Sequence, residues 1–454
     1  MEHLGGEGCD IRQRRSPNGT VHDTVRHDDH MAMIDRGGGG STSGDGASER
    51  LVTKPFVVVT LSAFAFFMYI GTLVPLVPLF IEGPLDGGEF GIGLNAAVFA
   101  GAAILARPFL GRIADRYGRR SIIIGGALTA AAGGMLMSQA ESLELLMFLR
   151  VLTGVGEAAV FVGTATLIAD LSPRDRRAEG ASYFSVAVFS GLGFGPVFGE
   201  WFLNDVNFER TFIAAGGFAI LAACIAVLAP ARVESPDDDG DENLADAGRR
   251  GAAPMRGLAE SGIFSYIHPA AILPGVVLAC GVGGLTTFFL FIPDYARTHG
   301  LKSSGGLFLA YAAVSLIIRL FGAKLPERLG PRRAVSIALL SMAVGLAVFA
   351  VFPSVPGLWV GALLIGLGAA FNYPSLMALT VNNANDEDRA SAISSFTMFF
   401  EIGSAGAGLT IGVLAQIVGK QYGFYGGVAS CLLGLWLLRT KLVPRVVPEP
   451  VALA

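Results

Sequence analysis

The 454-residue chain reads as an all-α transmembrane protein, two pseudo-symmetric six-helix bundles around a central cavity. Three observations predict this class. Hydrophobic residues make up 52% of the chain and charged residues 15%. A soluble chain would carry roughly 25% charged residues to cover its surface. Twelve apolar stretches of 16 to 29 residues are candidates to cross the hydrocarbon, which takes about 20 helical residues for ~30 Å. Finally, landmarks in the first half recur in the same order in the second.

In the first half the spans fall at 55–81, 90–110, 121–140, 143–171, 180–203 and 211–230. In the second they fall at 269–293, 303–323, 334–352, 357–381, 391–418 and 423–438. The domains are therefore a polar tail (1–54), a first bundle (55–230), a linker (231–268), a second bundle (269–442) and a short tail (443–454). The first tail is polar, with glycines at 37–40, and lacks the apolar core of a signal peptide. It reads as disordered. Met31 and Met33 are alternative starts to Met1. The linker carries Asp237, Asp238, Asp239, Asp241 and Glu242, too polar to insert and too short for a folded domain.

Orientation follows from where the basic residues sit. Loops after the even-numbered spans hold Arg112, Arg116, Arg119, Arg120, Arg174, Arg176, Arg177, Arg328, Arg332, Arg333 and Arg389, while the opposite loops hold only Arg210, Arg297, Lys302 and Lys420. The positive-inside rule puts both termini and the linker in the cytoplasm, and the protein in the cell membrane as a multi-pass chain. The repeat is seen in spacing. Arg107 precedes Gly118 by eleven residues, as Arg319 precedes Gly330; Gly156 precedes Arg177 by twenty-one, as Gly368 precedes Arg389. Two related bundles around a midplane site are a recurring transporter architecture.

Glu157 in the fourth span and Glu401 in the eleventh lie deep in apolar sequence. An ionised residue at the bilayer centre costs at least ~2.5–3.5 kcal/mol, so such residues face a cavity or a partner. A buried carboxylic acid that loads a proton on one side and releases it on the other would serve as a carrier, and Glu157 and Glu401 are the candidates, Glu157 first. A neutral interhelical hydrogen-bond donor is the alternative for each. Arg150 is seven residues from Glu157, on nearly the same helix face and ~10 Å along the axis.

Within the stretch 111–120, Gly111, Ala114, Asp115, Arg116, Gly118, Arg119 and Arg120 match the loop signature of the major facilitator superfamily, with Ile113 where leucine is usual. The chain resembles that family, and in particular its drug/proton antiporters, from about residue 55 to residue 442. Gly111 and Gly118 would allow a tight turn between the second and third spans. The resemblance implies that Asp115 and Arg116 latch a cytoplasmic gate against the eleventh span. Gly191, Gly195, Pro196 and Gly199 resemble the antiporter motif of the fifth span, with departures at Glu200 and Ser182. Close helix packing explains the same glycines, and Pro196 would bend the span. Arg150 resembles the fourth-span arginine associated with proton transfer. The resemblance also places spans one, four, seven and ten around the cavity, where Tyr69, Thr72, Thr286, Thr287, Phe288, Asn372 and Tyr373 form a sparse polar lining amid apolar surface.

The expected function is secondary active transport: proton-coupled efflux of small lipophilic compounds by alternating access. A facilitator or symporter of a sugar or other polar nutrient is the alternative. An enzyme is not indicated, since HExxH, Gly-x-Ser-x-Gly and phosphate-loop signatures are lacking. A transport-dead sensor on the same scaffold is disfavoured by the intact loop signature and embedded acids. Cys9, Cys224, Cys280 and Cys431 show no paired spacing, and the cluster His27, Asp28, Asp29, His30 lies in the polar tail, so no metal or disulfide is expected. Expected partners are a small-molecule substrate, protons and the lipid bilayer, with no cofactor and no nucleic acid, and the chain reads as a monomer.

Overall fold

A computed structural model describes residues 51–173, 176–203, 207–231, 268–321, 329–384 and 389–441. Nearly all of the expected tails and linker lie outside these residues. Twelve long helices run through the described part. The first six are α1 (Lys54–Glu82), α2 (Gly88–Tyr117), α3 (Arg119–Leu136), α4 (Leu143–Asp170), α5 (Arg177–Leu203) and α6 (Phe208–Val227). The second six are α7 (Pro269–Thr298), α8 (Gly305–Phe321), α9 (Pro331–Val351), α10 (Val355–Asn383), α11 (Arg389–Val418) and α12 (Lys420–Thr440). Ten of these are long and apolar enough to cross a bilayer. Of the others, α8 is apolar but described over only 17 residues, and α12 carries Lys420, Gln421 and Arg439 at its ends.

Local chemistry starts several helices. Thr53, Ser142 and Ser354 each accept a hydrogen bond from a backbone N–H three residues on, satisfying one of the free donors of a first turn. Proline occupies an opening position of α1, α7, α9 and α10, where its missing N–H costs nothing.

The two halves pack by one rule. In the first bundle α1 lies against α5 and α6, α3 against α4 and α6, and α2 against α4. The second bundle repeats all five pairings six helices on: α7 with α11 and α12, α9 with α10 and α12, and α8 with α10. The bundles meet where α2 packs on α11 and α5 on α8, two seams exchanged by the same two-fold relation. A constant offset of 212 residues relates equivalent positions. Gly154 packs on Phe99 as Gly366 packs on Tyr311, and Gly191 on Phe67 as Gly403 on Ala279.

Candidate functional site

In the α2–α11 seam, Arg107 of α2 donates from Nη2 to Oε1 of Glu401 at 2.6 Å. The guanidinium also lies 5.3 Å from the ring centre of Phe161 on α4. Glu157, one turn before Phe161, is buried and has Arg107 and Glu401 as its charged neighbours. Its Oε2 has no hydrogen-bond partner among the described residues. Two acids thus share one guanidinium. With one proton on the pair of acids the cluster is neutral, and without it the cluster carries one net negative charge. Because Arg107 and Glu401 belong to different bundles, the ion pair also bridges them.

Sequence reasoning singled out both acids but treated Arg107 only as a marker of the repeat. The signal was present: a basic residue inside an apolar span needs a partner as much as an acid does. The structure places Arg150 elsewhere. Its guanidinium sits 4.4 Å from the ring centre of Phe99, with the neutral Tyr69 phenol as its titratable neighbour. Two helical turns separate it from the Glu157 cluster.

The loop signature works differently from its expected turn. Gly118 alone connects α2 to α3, with φ of 88°, a left-handed conformation that glycine adopts without a Cβ penalty. Its counterpart Gly330, with φ of 79°, opens α9 in the same way. Gly111 makes no turn: it lies inside α2, which continues unbroken through Tyr117. The helix runs on because the residues from 111 to 117 include good helix formers and no proline. Arg120 donates to the carbonyl oxygen of Ala229 at 3.2 Å, at the end of α6, where free carbonyls and the helix dipole favour a cation. Arg332 repeats this on α12, donating to the carbonyl of Arg439 at 2.7 Å. Arg119 pairs with Asp170 of α4. Arg116 lies over the Tyr117 ring at 5.4 Å. Asp115 stands in the last turns of α2, and its side chain lies outside the described residues.

The fifth-span glycines line a tight seam with α1. A Cβ on Gly191 would lie 2.7 Å from Phe67 atoms, one on Gly195 2.6 Å from the Gly71 Cα, and one on Gly199 2.7 Å from the Thr72 carbonyl oxygen. Pro196 lies inside the unbroken α5. Among the cavity candidates, Tyr69 is fully buried and donates to the carbonyl of Ala130 on α3, and Thr72 donates to the carbonyls of Met68 and Gly195. Phe288 is enclosed by Phe308, Tyr311 and Phe349. Thr286 reaches Ser404 of α11 at 3.4 Å. Asn372 is buried against Gly281 with Oδ1 unpartnered among the described residues. Tyr373 packs on Phe396 of α11.

On the face opposite the basic loops, two polar clasps join the bundles. Lys420 of α12 contacts Glu82 of α1 and Asp294 of α7, with Glu89 of α2 3.8 Å away. Glu200 of α5, the residue that departs from the antiporter motif, accepts from the Ser304 hydroxyl at 2.6 Å and the Gly305 N–H at 2.7 Å, and contacts the Ser303 hydroxyl. It thereby caps α8, where an anion is favoured. Replacing Lys420 by Met leaves three acids facing one another without their cation. Spin labels at positions 86 and 302, in loops of this face in opposite bundles, should then show a larger long-distance population. An unchanged distance distribution would mean that this clasp does not hold the face closed.

The sequence profile described as Major Facilitator Superfamily matches residues 59–326 and 303–453. An uncharacterized MFS-type transporter of Salmonella typhimurium is 27% identical over 384 residues, 82% of this chain and 93% of that protein. Multidrug resistance protein 2 of Bacillus subtilis is 26% identical over 64% of this chain and 71% of its own length. Quinolone resistance protein NorA of Staphylococcus aureus is 27% identical over 57% of this chain and 64% of its own. Among solved structures, nucleoside transporter NupG superposes with a TM-score of 0.66 at 14% identity, covering 87% of this chain and all of its own. Peptide transporter POT superposes with a TM-score of 0.67 at 17% identity, covering 85% of this chain and 94% of its own. Twelve helices in two repeated bundles, the glycine-hinged loop and the extent of the profile match together make this chain a member of the major facilitator superfamily, a multi-pass membrane transporter.

Proposed function

We propose that the protein exports small lipophilic compounds in exchange for protons by alternating access. The observation that supports this is the Glu157–Arg107–Glu401 cluster, in which two buried acids stand beside one guanidinium and the ion pair joins the two bundles. A proton arriving on Glu401 weakens its bond to Arg107 and loosens the α2–α11 seam. Glu157, beside the same guanidinium, then becomes the acid that holds Arg107 in place. Proton occupancy in this way biases which side of the cavity opens, a differential interaction of the kind a two-state equilibrium requires. The names of two relatives, multidrug resistance protein 2 and quinolone resistance protein NorA, tie those proteins to drug resistance, which supports export as the direction. The basic loops face the cytoplasm in this reading. Asp115 and Arg116 then latch the cytoplasmic gate, and the Lys420 and Glu200 clasps close the outer one.

The test is substrate-driven proton movement in proteoliposomes carrying a pH dye, with a panel of lipophilic cations, neutral antibiotics and aromatic monoanions. Native protein is expected to release protons with at least one compound and Glu157→Gln with none. Normal coupling in Glu157→Gln would move the carrier role away from this residue. Labelled uptake without any proton signal from native protein would leave a uniporter.

A further inference from the structure

The two-fold relation supplies a comparison inside the molecule. Offsetting the proton cluster by 212 residues takes Arg107 to Arg319, Glu401 to Phe189, Glu157 to Ala369 and Phe161 to Tyr373. The geometry is retained: Arg319 of α8 lies 3.9 Å from the ring centre of Phe189 on α5, as Arg107 meets Glu401 across the other seam. Its Nη2 lies 3.5 Å from the carbonyl oxygen of Ala369, and Tyr373 stands among its electrostatic neighbours. The chemistry is not retained. Both carboxylates are gone, replaced by a ring and a methyl. Arg319 has no carboxylate partner among the described residues, and its buried Nε, like that of Arg107, has no hydrogen bond there.

A guanidinium stays protonated at any physiological pH and presents a fork of donors matched to a carboxylate. Keeping it within an apolar span without a counter-anion is costly, and such residues mark substrate pathways. Arg107 shows what this position binds when the protein supplies it: a carboxylate oxygen, from Glu401 of the opposing α11. At Arg319 the opposing helix, α5 of the first bundle, supplies the aromatic face of Phe189 in the same place. We propose that Arg319, with Phe189 and Tyr373, forms a substrate subsite for the carboxylate of a monoanionic aromatic compound, the ring packing on Phe189 and the anion on the guanidinium. This deepens the export reading and rests on it. It narrows the lipophilic cargo to compounds that carry one negative charge beside an aromatic ring.

The experiment uses three probes that share one ring: 1-naphthoate, neutral 1-naphthamide and cationic 1-naphthylmethylammonium. Their equilibrium binding is measured by dialysis to the full chain in nanodiscs, without any gradient. Native protein is expected to bind naphthoate about tenfold or more tightly than naphthamide, the range of a charge-assisted hydrogen-bonded pair. Arg319→Gln should abolish that preference while changing naphthamide binding less than about twofold, and Arg319→Lys should keep part of it, as a charge without the fork. Equal binding of all three probes by native protein, or a preference for the cation, overturns the proposal. So does an equal loss of naphthoate and naphthamide in Arg319→Gln and Arg319→Lys, which is the signature of a structural role. Chloride that displaces naphthoate while the naphthoate preference over naphthamide is missing would assign the position to a small inorganic anion instead. Because binding is read without proton exchange, failure of the Glu157→Gln coupling assay leaves this result standing. Native protein that exports but shows no charge discrimination overturns only the subsite.

Discussion

Arg107→Gln is expected to destabilise the folded protein by about 3–5 kcal/mol, the cost of removing one partner from a buried ion pair. The pair is well enclosed: the Arg107 side chain is 16% exposed and that of Glu401 9%. Removing the guanidinium strands Glu401 and leaves Glu157 beside it with no cation. Changing Glu401 to glutamine as well should recover most of the loss, because a neutral amide in the same shape has little to desolvate. Arg319→Gln is the internal control. It removes the symmetry-related guanidinium, which has no carboxylate to strand, so stability should change by less than about 1 kcal/mol or rise. Thermal unfolding of the four proteins in one detergent reads all three differences. Equal losses for Arg107→Gln and Arg319→Gln would mean that the carboxylates contribute nothing to the cluster, and with them the charge-balance argument would fall. Both Arg107 variants should also lose proton exchange, whatever their stability, since the bridge between bundles is gone in each.

The difference between the two arginines also explains which parts of the site were legible in sequence. Spans are written in runs of apolar residues, and every one of the twelve expected stretches overlaps a described helix. Ends were less legible, because a helix does not stop where hydrocarbon stops: α2 runs on through Arg112 and Arg116 to Tyr117, where a span was expected only to 110. The repeat was legible as spacing, yet spacing does not say what meets what. Arg107 and Glu401 are 294 positions apart, and their pairing is a property of the α2–α11 seam. Gly111 and Gly118 look alike as letters, but only one carries a positive φ. The acids were found because a carboxylate in an apolar run is conspicuous. Arg107 and Arg319 are equally conspicuous, but their matched spacing to Gly118 and Gly330 reads first as a sign of the repeat. The clasp at Lys420 was hidden for another reason. It gathers acids from three helices at the ends of spans, where charge is ordinary.

Gly191→Ala should cost about 1–3 kcal/mol, the usual range for overpacking, and Gly191→Leu more, enough to deplete folded protein. The reason is what stands opposite. A Cβ at position 191 would lie 2.7 Å from the Phe67 carbonyl carbon and 2.8 Å from the Met68 N, and backbone has no rotamer to retreat into. Relief requires moving α5 off α1 along its length. The second bundle has kept glycine at the equivalent position: Gly403 approaches Ala279 with its backbone Cα 2.6 Å from where a Cβ would stand. Position 195 is a weaker test, because its equivalent is Ala407, and that seam accommodates a methyl 3.4 Å from a Cβ placed on Gly283. Gly111→Ala is the contrast within the loop signature. Nothing lies within 4 Å of a Cβ there, so removing a helix-interior glycine should leave stability unchanged or raise it by roughly 0.5–1 kcal/mol. Unfolding temperatures and yields of folded protein in detergent distinguish the two. If Gly191→Ala and Gly111→Ala behaved alike, the antiporter-like glycines would not be there for packing, and their role would lie in the movement of α5 itself.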